Sequence, residues 1–169
     1  MSQESLYLEN KKILTVSGLN CVDFLNNILT SDISKLTPLE TRPSALLSPQ
    51  GRVLYDILVS LDFQNSSKEK SILIEHDLFC EDDLIKKLNI YNLRKDVKIE
   101  KTNYYVHVST NPECSENSLK DKRFSNTNIN INIATIIVFD SGTKKSIKNL
   151  QVLAPSSLAD SSNSSGTVL

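Results

Sequence analysis

The sequence predicts an α+β fold: a mostly antiparallel sheet with a few helices. Three observations predict it. Short apolar runs of strand length recur through the first two-thirds of the chain, and two amphipathic stretches with helical spacing interrupt them. Short turns join most of the apolar runs, as in hairpins. Because the strands come in hairpins, the pattern is not that of a doubly wound sheet.

The N-terminal elements are two strands and a helix. Residues 5–17 give two short apolar runs around the turn-prone Glu9-Asn10-Lys11. An amphipathic helix of about ten residues follows, with Asn20 as the expected N-cap and Thr30-Ser31-Asp32 at its end. Its apolar residues recur at helical spacing: Val22, Leu25, Ile28 and Leu29.

A hairpin is predicted next. Leu36 to Pro43 contains two prolines and is predicted to be a loop. Strands follow at Ser44 to Leu47 and at Val53 to Phe63, joined by Ser48-Pro49-Gln50-Gly51. The second strand has few polar breaks, so much of it is expected to be buried on both faces.

The remaining elements continue the alternation. Ser71 to Glu75 is predicted as a strand and Phe79 to Leu88 as a helix, with Val97 to Ile99 and Tyr104 to Val108 as further strands. The apolar residues of this helix are predicted to be Phe79, Leu84, Ile85 and Leu88.

The chain divides into three segments by composition. Residues 1–108 are patterned to fold, and residues 109–154 form a divergent, partly ordered segment rich in Asn, Ser and charge. Within that segment Ala134 to Phe139 has the character of one strand. Residues 155–169 bury almost nothing and are predicted to be a disordered tail.

Bulk properties limit the function classes. The net charge is −1, so no global field favours nucleic acid or an anionic membrane, and neither is expected as a partner. The N-terminus lacks an apolar signal region, and no apolar run approaches the ~20 residues of a membrane span. Three widely spaced cysteines indicate free thiols in a reducing compartment, so a cytoplasmic location is predicted. Both histidines are interpreted as turn or surface residues.

Sequence motifs of common catalytic sites are absent. The chain contains no GxGxxG, P-loop, HExxH or GxSxG pattern, and no nucleophile–base pair is proposed. Candidate ligand contacts lie instead in three polar groups.

The first group is in the stretch LLSPQGRVLYD. By itself it is an ordinary hairpin, but Arg52 and Asp56 lie four apart in a predicted strand and are expected to share a face. If that face is internal, the pair needs a ligand or each other, because a buried charge is costly. A carboxylate there suits bidentate hydrogen bonding to the N–H groups of a pterin ring.

The second and third groups flank the predicted helices. Thr30 and Asp32 lie at a helix C-terminus, where capping is the simpler interpretation. Tyr91 and Arg94 precede a strand, where a structural tyrosine and an exposed arginine are the simpler interpretation.

Taken together and in order, these segments resemble the YgfZ/GcvT-like folate-binding proteins over about residues 5–108. The succession is LTVSGLNCVDFLNNILTSDISKL, ALLSPQGRVLYDILV, LIEHD and LIKKLNIYNLRKDVKIE. The positions that match the family patterns are Val16-Ser17-Gly18, Phe24-Leu25, Leu29-Thr30-Ser31-Asp32, Pro49-Gln50-Gly51-Arg52, Asp56, and Tyr91 through Val97.

The resemblance implies the N-terminal part of a three-lobed fold and binding of tetrahydrofolate or a one-carbon derivative. It further implies an accessory, non-catalytic role in assembling or repairing iron–sulfur clusters, with client or assembly proteins as partners. The implied folate-binding residues are Asp56, Arg52, Thr30, Asp32, Tyr91 and Arg94.

The sequence also departs from the family pattern. Aminomethyltransferase relatives carry an Asp-Asp pair where this chain has Tyr55 and Asp56, which argues against amine transfer. The K-G-C-[FY]-x-G-Q-E motif of the iron–sulfur branch is absent, and Asp121-Lys122-Arg123 only partly matches a D-P-R element. The chain is therefore expected to be a truncated member. A folate-dependent aminomethyltransferase and a remnant without ligand binding remain the alternatives.

Overall fold

The computed structural model of the chain describes residues 5–62, 70–94, 96–109, 118–124 and 134–139. Its strands and α-helices, in chain order, are β1 Ser5–Tyr7, β2 Lys11–Ser17, α1 Cys21–Ile28, β3 Glu40–Leu47, β4 Val53–Leu61, β5 Ser71–Asp77, α2 Glu81–Tyr91, β6 Lys98–Lys101, β7 Tyr104–Ser109, β8 Ser118–Asp121 and β9 Ala134–Phe139. Short 3₁₀ helices cover Ile33–Lys35, Leu78–Cys80 and Lys122–Phe124.

The strands form a sheet in the order β1-β7-β9-β8-β3-β4-β5-β2-β6. Its pairings are antiparallel except that of β3 with β8, which is parallel. The prediction of an α+β fold with a mostly antiparallel sheet is confirmed. The two strands of residues 5–17 also form, but they do not pair with each other: β1 pairs with β7, and β2 lies between β5 and β6.

The helices cover one face of the sheet and bury the larger core. We call this core 1. Leu25 of α1 and Leu84 and Leu88 of α2 pack against Ile57 and Val59 of β4. Alternate residues of the strands point to this face, as the period of two requires. The amphipathic spacing seen in the sequence therefore places both helices correctly.

The opposite face of the sheet closes on a smaller core, which we call core 2. Ile13 of β2, Leu73 of β5, Val106 of β7 and Leu119 of β8 meet there, each no more than 1% exposed. Strands from both ends of the strand order thus contribute to a single cluster, so the sheet curves round on itself. We call the sheet face that points toward core 2 the inner face.

Two predicted segments differ from the structure. Leu36 to Pro43 is not a loop throughout, because β3 already begins at Glu40 and includes Pro43. Phe79 was predicted to be on the apolar face of the second helix, and this is wrong: it lies in the 3₁₀ turn before α2 and is 93% exposed. The helix itself begins at Glu81 and extends to Tyr91.

Asn20 occupies the predicted cap position of α1 without capping it. Its side chain makes no cap hydrogen bond. The amide Nδ2 instead donates to Asp96 Oδ2 at 2.8 Å. Asn20 therefore ties the start of α1 to the segment that leads into β6.

His76 is not a turn or surface residue, as its sequence neighbours suggested. It lies in β5, is fully buried, and its Nδ1 lies 2.9 Å from the carbonyl oxygen of Asp77. His107 lies in β7 and stacks at an angle against Tyr7. The interpretation as a turn or surface residue is wrong for His76, which is fully buried, whereas His107 is half-buried in a paired strand.

Residues 109–154 contribute strands to the same sheet. β9 pairs with β7 and β8, and β8 pairs with β3. The strand predicted at Ala134 to Phe139 is confirmed. The division at residue 108 stays a prediction, and the predicted disordered tail lies outside the described residues.

Candidate functional site

The hairpin in LLSPQGRVLYD closes as its residues predict. The Gly51 N–H donates to the Ser48 carbonyl at 2.9 Å, and the Ser48 N–H donates to the Arg52 carbonyl at 2.8 Å. Gly51 has φ +80, a conformation that glycine adopts without strain. The Ser48 hydroxyl accepts from two further backbone N–H groups of the turn, those of Gln50 and Arg52. Local turn chemistry is thus sufficient to explain this segment.

Arg52 and Asp56 do not share a strand face, so that expectation is wrong. Arg52 lies in the turn, before β4 begins. A register shift then leaves Leu54 as an extra residue, because Val53 pairs with Leu47 while Tyr55 pairs with Leu46. Such a bulge breaks the alternation on which the prediction rested. Within the described residues, no hydrogen bond or ion pair joins the two side chains.

Asp56 instead shares the inner face with Glu75 on the neighbouring strand. Leu58 of β4 pairs directly with Glu75 of β5, and Asp56 lies two residues from Leu58. Residues two apart in a strand point to the same side. The Asp56 side chain is exposed, whereas Glu75 is only 7% exposed. Asp56 therefore lies at the solvent-exposed edge of the inner face, and Glu75 lies in its buried part.

The Glu75 carboxyl is unusual because one of its oxygens, Oε2, is buried without a hydrogen-bond partner in the described part of the chain. Burial raises the pKa of Glu75 to about 7, and this rise exceeds the opposing effect of Lys11 and Arg123. A buried polar group without a partner normally costs about 1–3 kcal/mol, and such groups are rare in native proteins.

Arg123, which is hydrogen-bonded to the buried carboxylate of Asp121, lies near Glu75. Arg123 Nε lies 3.0 Å from both carboxylate oxygens of Asp121, and Nη2 lies 2.5 Å from Oδ2. The hydrogen bond to Asp121 raises the pKa of Arg123 despite partial burial, and the charges of Glu75 and Asp56 add to the rise. Arg123 is therefore close enough to interact electrostatically with the carboxyl groups of Glu75 and Asp56. Its side chain remains 43% exposed, so the guanidinium is accessible.

Thr30 and Asp32 lie on the far side of β3 from Asp56. The Ala45 N–H donates to Thr30 Oγ1 at 2.9 Å, and Ala45 pairs with Asp56 on its other side. Asp32 caps the following 3₁₀ turn through Ser34, and it forms an ion pair with Lys35 at 2.9 Å. The structure gives both residues local structural roles.

Tyr91 and Arg94 lie away from Asp56. Tyr91 ends α2 and packs against core 1, so the sheet separates its ring from the inner face. Arg94 is exposed in the turn after α2. Among the six predicted ligand contacts, only Asp56 lies on the inner face with Glu75. Assignment of the other five to a folate site stays a prediction.

Neither a metal site nor a spanning helix is found in the described part of the chain. No group of three or more His, Cys, Asp or Glu side chains there is arranged to hold a metal ion. None of the helices described is long and apolar enough to cross a membrane.

Comparison with known proteins gives one similar sequence and one similar fold. It is 31% identical over 98 residues to the mitochondrial iron–sulfur cluster assembly factor IBA57 homolog of Yarrowia lipolytica. That match covers 57% of this chain and 20% of the relative, so the chain spans about a fifth of the relative's length. No protein-family model matches the sequence.

Among solved structures, the aminomethyltransferase T of the glycine cleavage system from Bartonella henselae has a similar fold. The TM-score is 0.61 at 11% identity, over 80% of this chain and 41% of that one. At this identity the likeness establishes the fold alone. The resemblance to the N-terminal part of the YgfZ/GcvT-like proteins is confirmed.

Tyr55, the departure from the aminomethyltransferase pattern, points away from the inner face. Its ring packs against core 1, and its hydroxyl donates a hydrogen bond to Asp83 at the start of α2. Burial and that hydrogen bond raise the pKa of Tyr55 to about 12. The residue at the first position of the Asp-Asp pair therefore joins β4 to α2 in this chain.

Sequence reasoning missed Glu75, Asp121 and Arg123. Glu75 did carry a signal, because it is the single acid in the apolar run SILIE and buried strands rarely contain an unpaired acid. The Asp121-Lys122-Arg123 element was noticed as a partial family match. Its position beside Glu75 depends on the parallel pairing of β8 with β3, which no local pattern reveals.

Proposed function

We propose that this chain is a folate-binding accessory protein in the assembly or repair of iron–sulfur clusters. The observation that carries the proposal is the inner face, where the exposed carboxylate of Asp56 lies above the buried, unsatisfied carboxyl of Glu75. The 98-residue similarity to a named iron–sulfur assembly factor supports the cellular role, and the aminomethyltransferase-like fold supports folate as the ligand.

The residues present fit a reduced pterin. A carboxylate accepts hydrogen bonds from N–H donors of the ligand, and Asp56 offers one at the exposed edge of the inner face. Glu75 provides a second polar group beside the buried apolar side chains of Leu58 and Leu73. Binding sites of small molecules combine these two features, an apolar lining and a few placed polar groups. The guanidinium of Arg123 adds a positive charge suited to a carboxylate of the glutamate tail.

Calorimetric titration with tetrahydrofolate under anaerobic conditions tests the ligand. Saturable binding by the unmodified chain is expected, and Asp56→Ala should weaken it at least tenfold because an N–H edge of the ring loses its acceptor. Tyr55→Phe is the matched control, since Tyr55 adjoins Asp56 in the chain but lies on the opposite face. It should bind as the unmodified chain does. Equal loss in both variants, or no binding by the unmodified chain, contradicts the proposal.

Complementation tests the cellular role. In a Yarrowia lipolytica strain without its own assembly factor, this chain should restore iron–sulfur enzyme activities, and its Asp56→Ala variant should not. If neither protein restores these enzyme activities although both are present at normal levels, the proposed role in cluster assembly is contradicted. Folate binding would then rest on the titration alone. A fusion to a fluorescent protein in the same strain compares the cytoplasmic location predicted from the sequence with the mitochondrial one in the relative's name.

A further inference from the structure

The proposed function leaves open how the buried carboxyl of Glu75 would contact a ligand. Oε2 has no partner among the described residues, and the side chain is 7% exposed. Charged groups surround it on each neighbouring element. They are Lys11 on β2, Asp56 on β4, Asp77 on β5, and Asp121 with Arg123 at the end of β8 and in the 3₁₀ turn after it.

Those neighbours leave Glu75 without a dedicated counter-charge. The Arg123 guanidinium is engaged by Asp121, and Lys11 Nζ forms an ion pair with Asp77 Oδ1 at 2.8 Å. Each nearby cation therefore already has its own anion. A carboxyl in such a position favours its neutral form, which presents an O–H donor and a C=O acceptor side by side.

We propose that Glu75 is a specificity-determining residue that binds the ligand as a carboxylic acid, pairing with a ring amide that carries an N–H and a C=O on adjacent atoms. This inference rests on the proposed function, because a pterin is such a ring amide. An ionised carboxylate only accepts hydrogen bonds, so it would repel the carbonyl of that edge. The neutral acid satisfies both atoms of the edge, and the ligand in turn satisfies Oε2.

Proton uptake on binding follows from this assignment. The pKa of Glu75 in the free protein is about 7, so above neutral pH the side chain is mostly ionised. Ligand binding then requires one proton from the buffer, which ends on the Glu75 carboxylate. Affinity should consequently fall as the pH rises, by roughly thirty-fold between about pH 6 and pH 8.5 if only the protonated form binds.

Glu75→Gln distinguishes the acid from the carboxylate. The glutamine amide keeps the volume and presents a permanent N–H donor beside a C=O acceptor. The affinity of the variant for tetrahydrofolate, at about pH 6 and at about pH 8.5, should therefore stay within about threefold of the affinity of the unmodified chain at pH 6. Binding to the variant should take up no proton. Glu75→Ala removes both hydrogen bonds and should bind at least tenfold more weakly at low pH. Glu100→Gln, a change at a partly exposed residue of β6 that pairs with Lys98 and is not among the charges facing Glu75, should keep the pH dependence of the unmodified chain.

The measurement is isothermal titration with tetrahydrofolate in two buffers of different ionisation enthalpy, which gives the number of protons taken up. Circular dichroism establishes that each variant is folded. Binding that Asp56→Ala abolishes, with identical pH profiles for the unmodified chain and Glu75→Gln, overturns this inference and leaves the proposed function standing. Absence of binding by the unmodified chain at pH 6 overturns both.

Discussion

The Asp121 carboxylate, whose side chain has no exposed surface, holds the Arg123 guanidinium through both of its oxygens. Asp121 ends β8, and Arg123 lies two positions later in the 3₁₀ turn that follows. This ion pair fixes the one guanidinium that the described residues place beside Glu75. It therefore contributes both to stability and to the inner face.

Arg123→Ala should destabilise the chain by about 2–3 kcal/mol, because a buried carboxylate loses its partner. The value is at the low end of the range for buried pairs, since the arginine is partly exposed and solvent replaces some of its effect. Urea unfolding followed by circular dichroism measures it. Arg52→Ala is the matched control, as that arginine is exposed and its side chain has no ion pair within the described residues. Comparable losses in the two variants would contradict the assignment.

Gly18→Ala should destabilise the chain by about 2–4 kcal/mol, for two reasons. Gly18 has φ +126, which other residues adopt only with strain, and an added Cβ would lie 2.9 Å from the backbone carbonyl oxygen of Asp96. Gly51→Ala provides the comparison, because Gly51 also has positive φ but its Cβ would meet nothing within 4 Å. It should cost only about 1 kcal/mol. Thermal unfolding of the two variants separates strain from steric overlap, and equal losses would rule out the close approach.

Local patterns were sufficient for most of the fold. The turn at Ser48 to Gly51 and the strand at Ala134 to Phe139 follow from residues that lie next to each other in the sequence. β3 was predicted to begin too late because Pro43 lowers the expectation for a strand. Proline is tolerated where no strand needs its N–H, and β8 pairs with β3 only at Glu40 and Thr41.

The inner face was much less predictable. Asp56 was identified from the family resemblance, but its neighbour Glu75 follows from the register of β4 against β5. Arg123 reaches the same surface only because β8 pairs with β3 in parallel across a long stretch of chain. Register and parallel pairing depend on the packing of the whole sheet, so neither can be inferred from one segment.

Glu40→Gln should destabilise the chain at neutral pH and have little effect near pH 2. Burial acts to raise the pKa of Glu40, but hydrogen bonds from Thr37, Lys122 and Arg42 outweigh it and lower the pKa to about 2. A folded-state pKa below the unfolded value gives stability that is present above about pH 4.5 and is lost as the pH falls toward 2. The expected loss at pH 7 is about 2–3 kcal/mol, measured by urea unfolding at several pH values.

Glu100→Gln is the control for this change. Glu100 is half exposed and forms a surface ion pair with Lys98 at 2.9 Å. Such pairs contribute little, so its loss should stay below about 1 kcal/mol at every pH. A pH-independent loss in Glu40→Gln would show that volume and packing, not charge, account for the effect.

Glu75→Gln should change stability in the opposite direction from Glu40→Gln. It should stabilise the free chain above neutral pH. The folded-state pKa of Glu75, about 7, lies above the unfolded value near 4.5. The native state therefore binds more protons between these values, and its stability falls as the pH rises through that window. Glutamine carries no charge to bury, so the variant should be more stable than the unmodified chain by about 1–3 kcal/mol at pH 8 and nearly equal to it at about pH 4, below the unfolded-state pKa. Urea unfolding without ligand at both pH values measures the difference, with Glu100→Gln as the comparison at a partly exposed carboxyl. Absence of any gain at pH 8 would mean that solvent already reaches the Glu75 carboxyl, and the surface would then lack the buried acid on which ring-amide recognition depends.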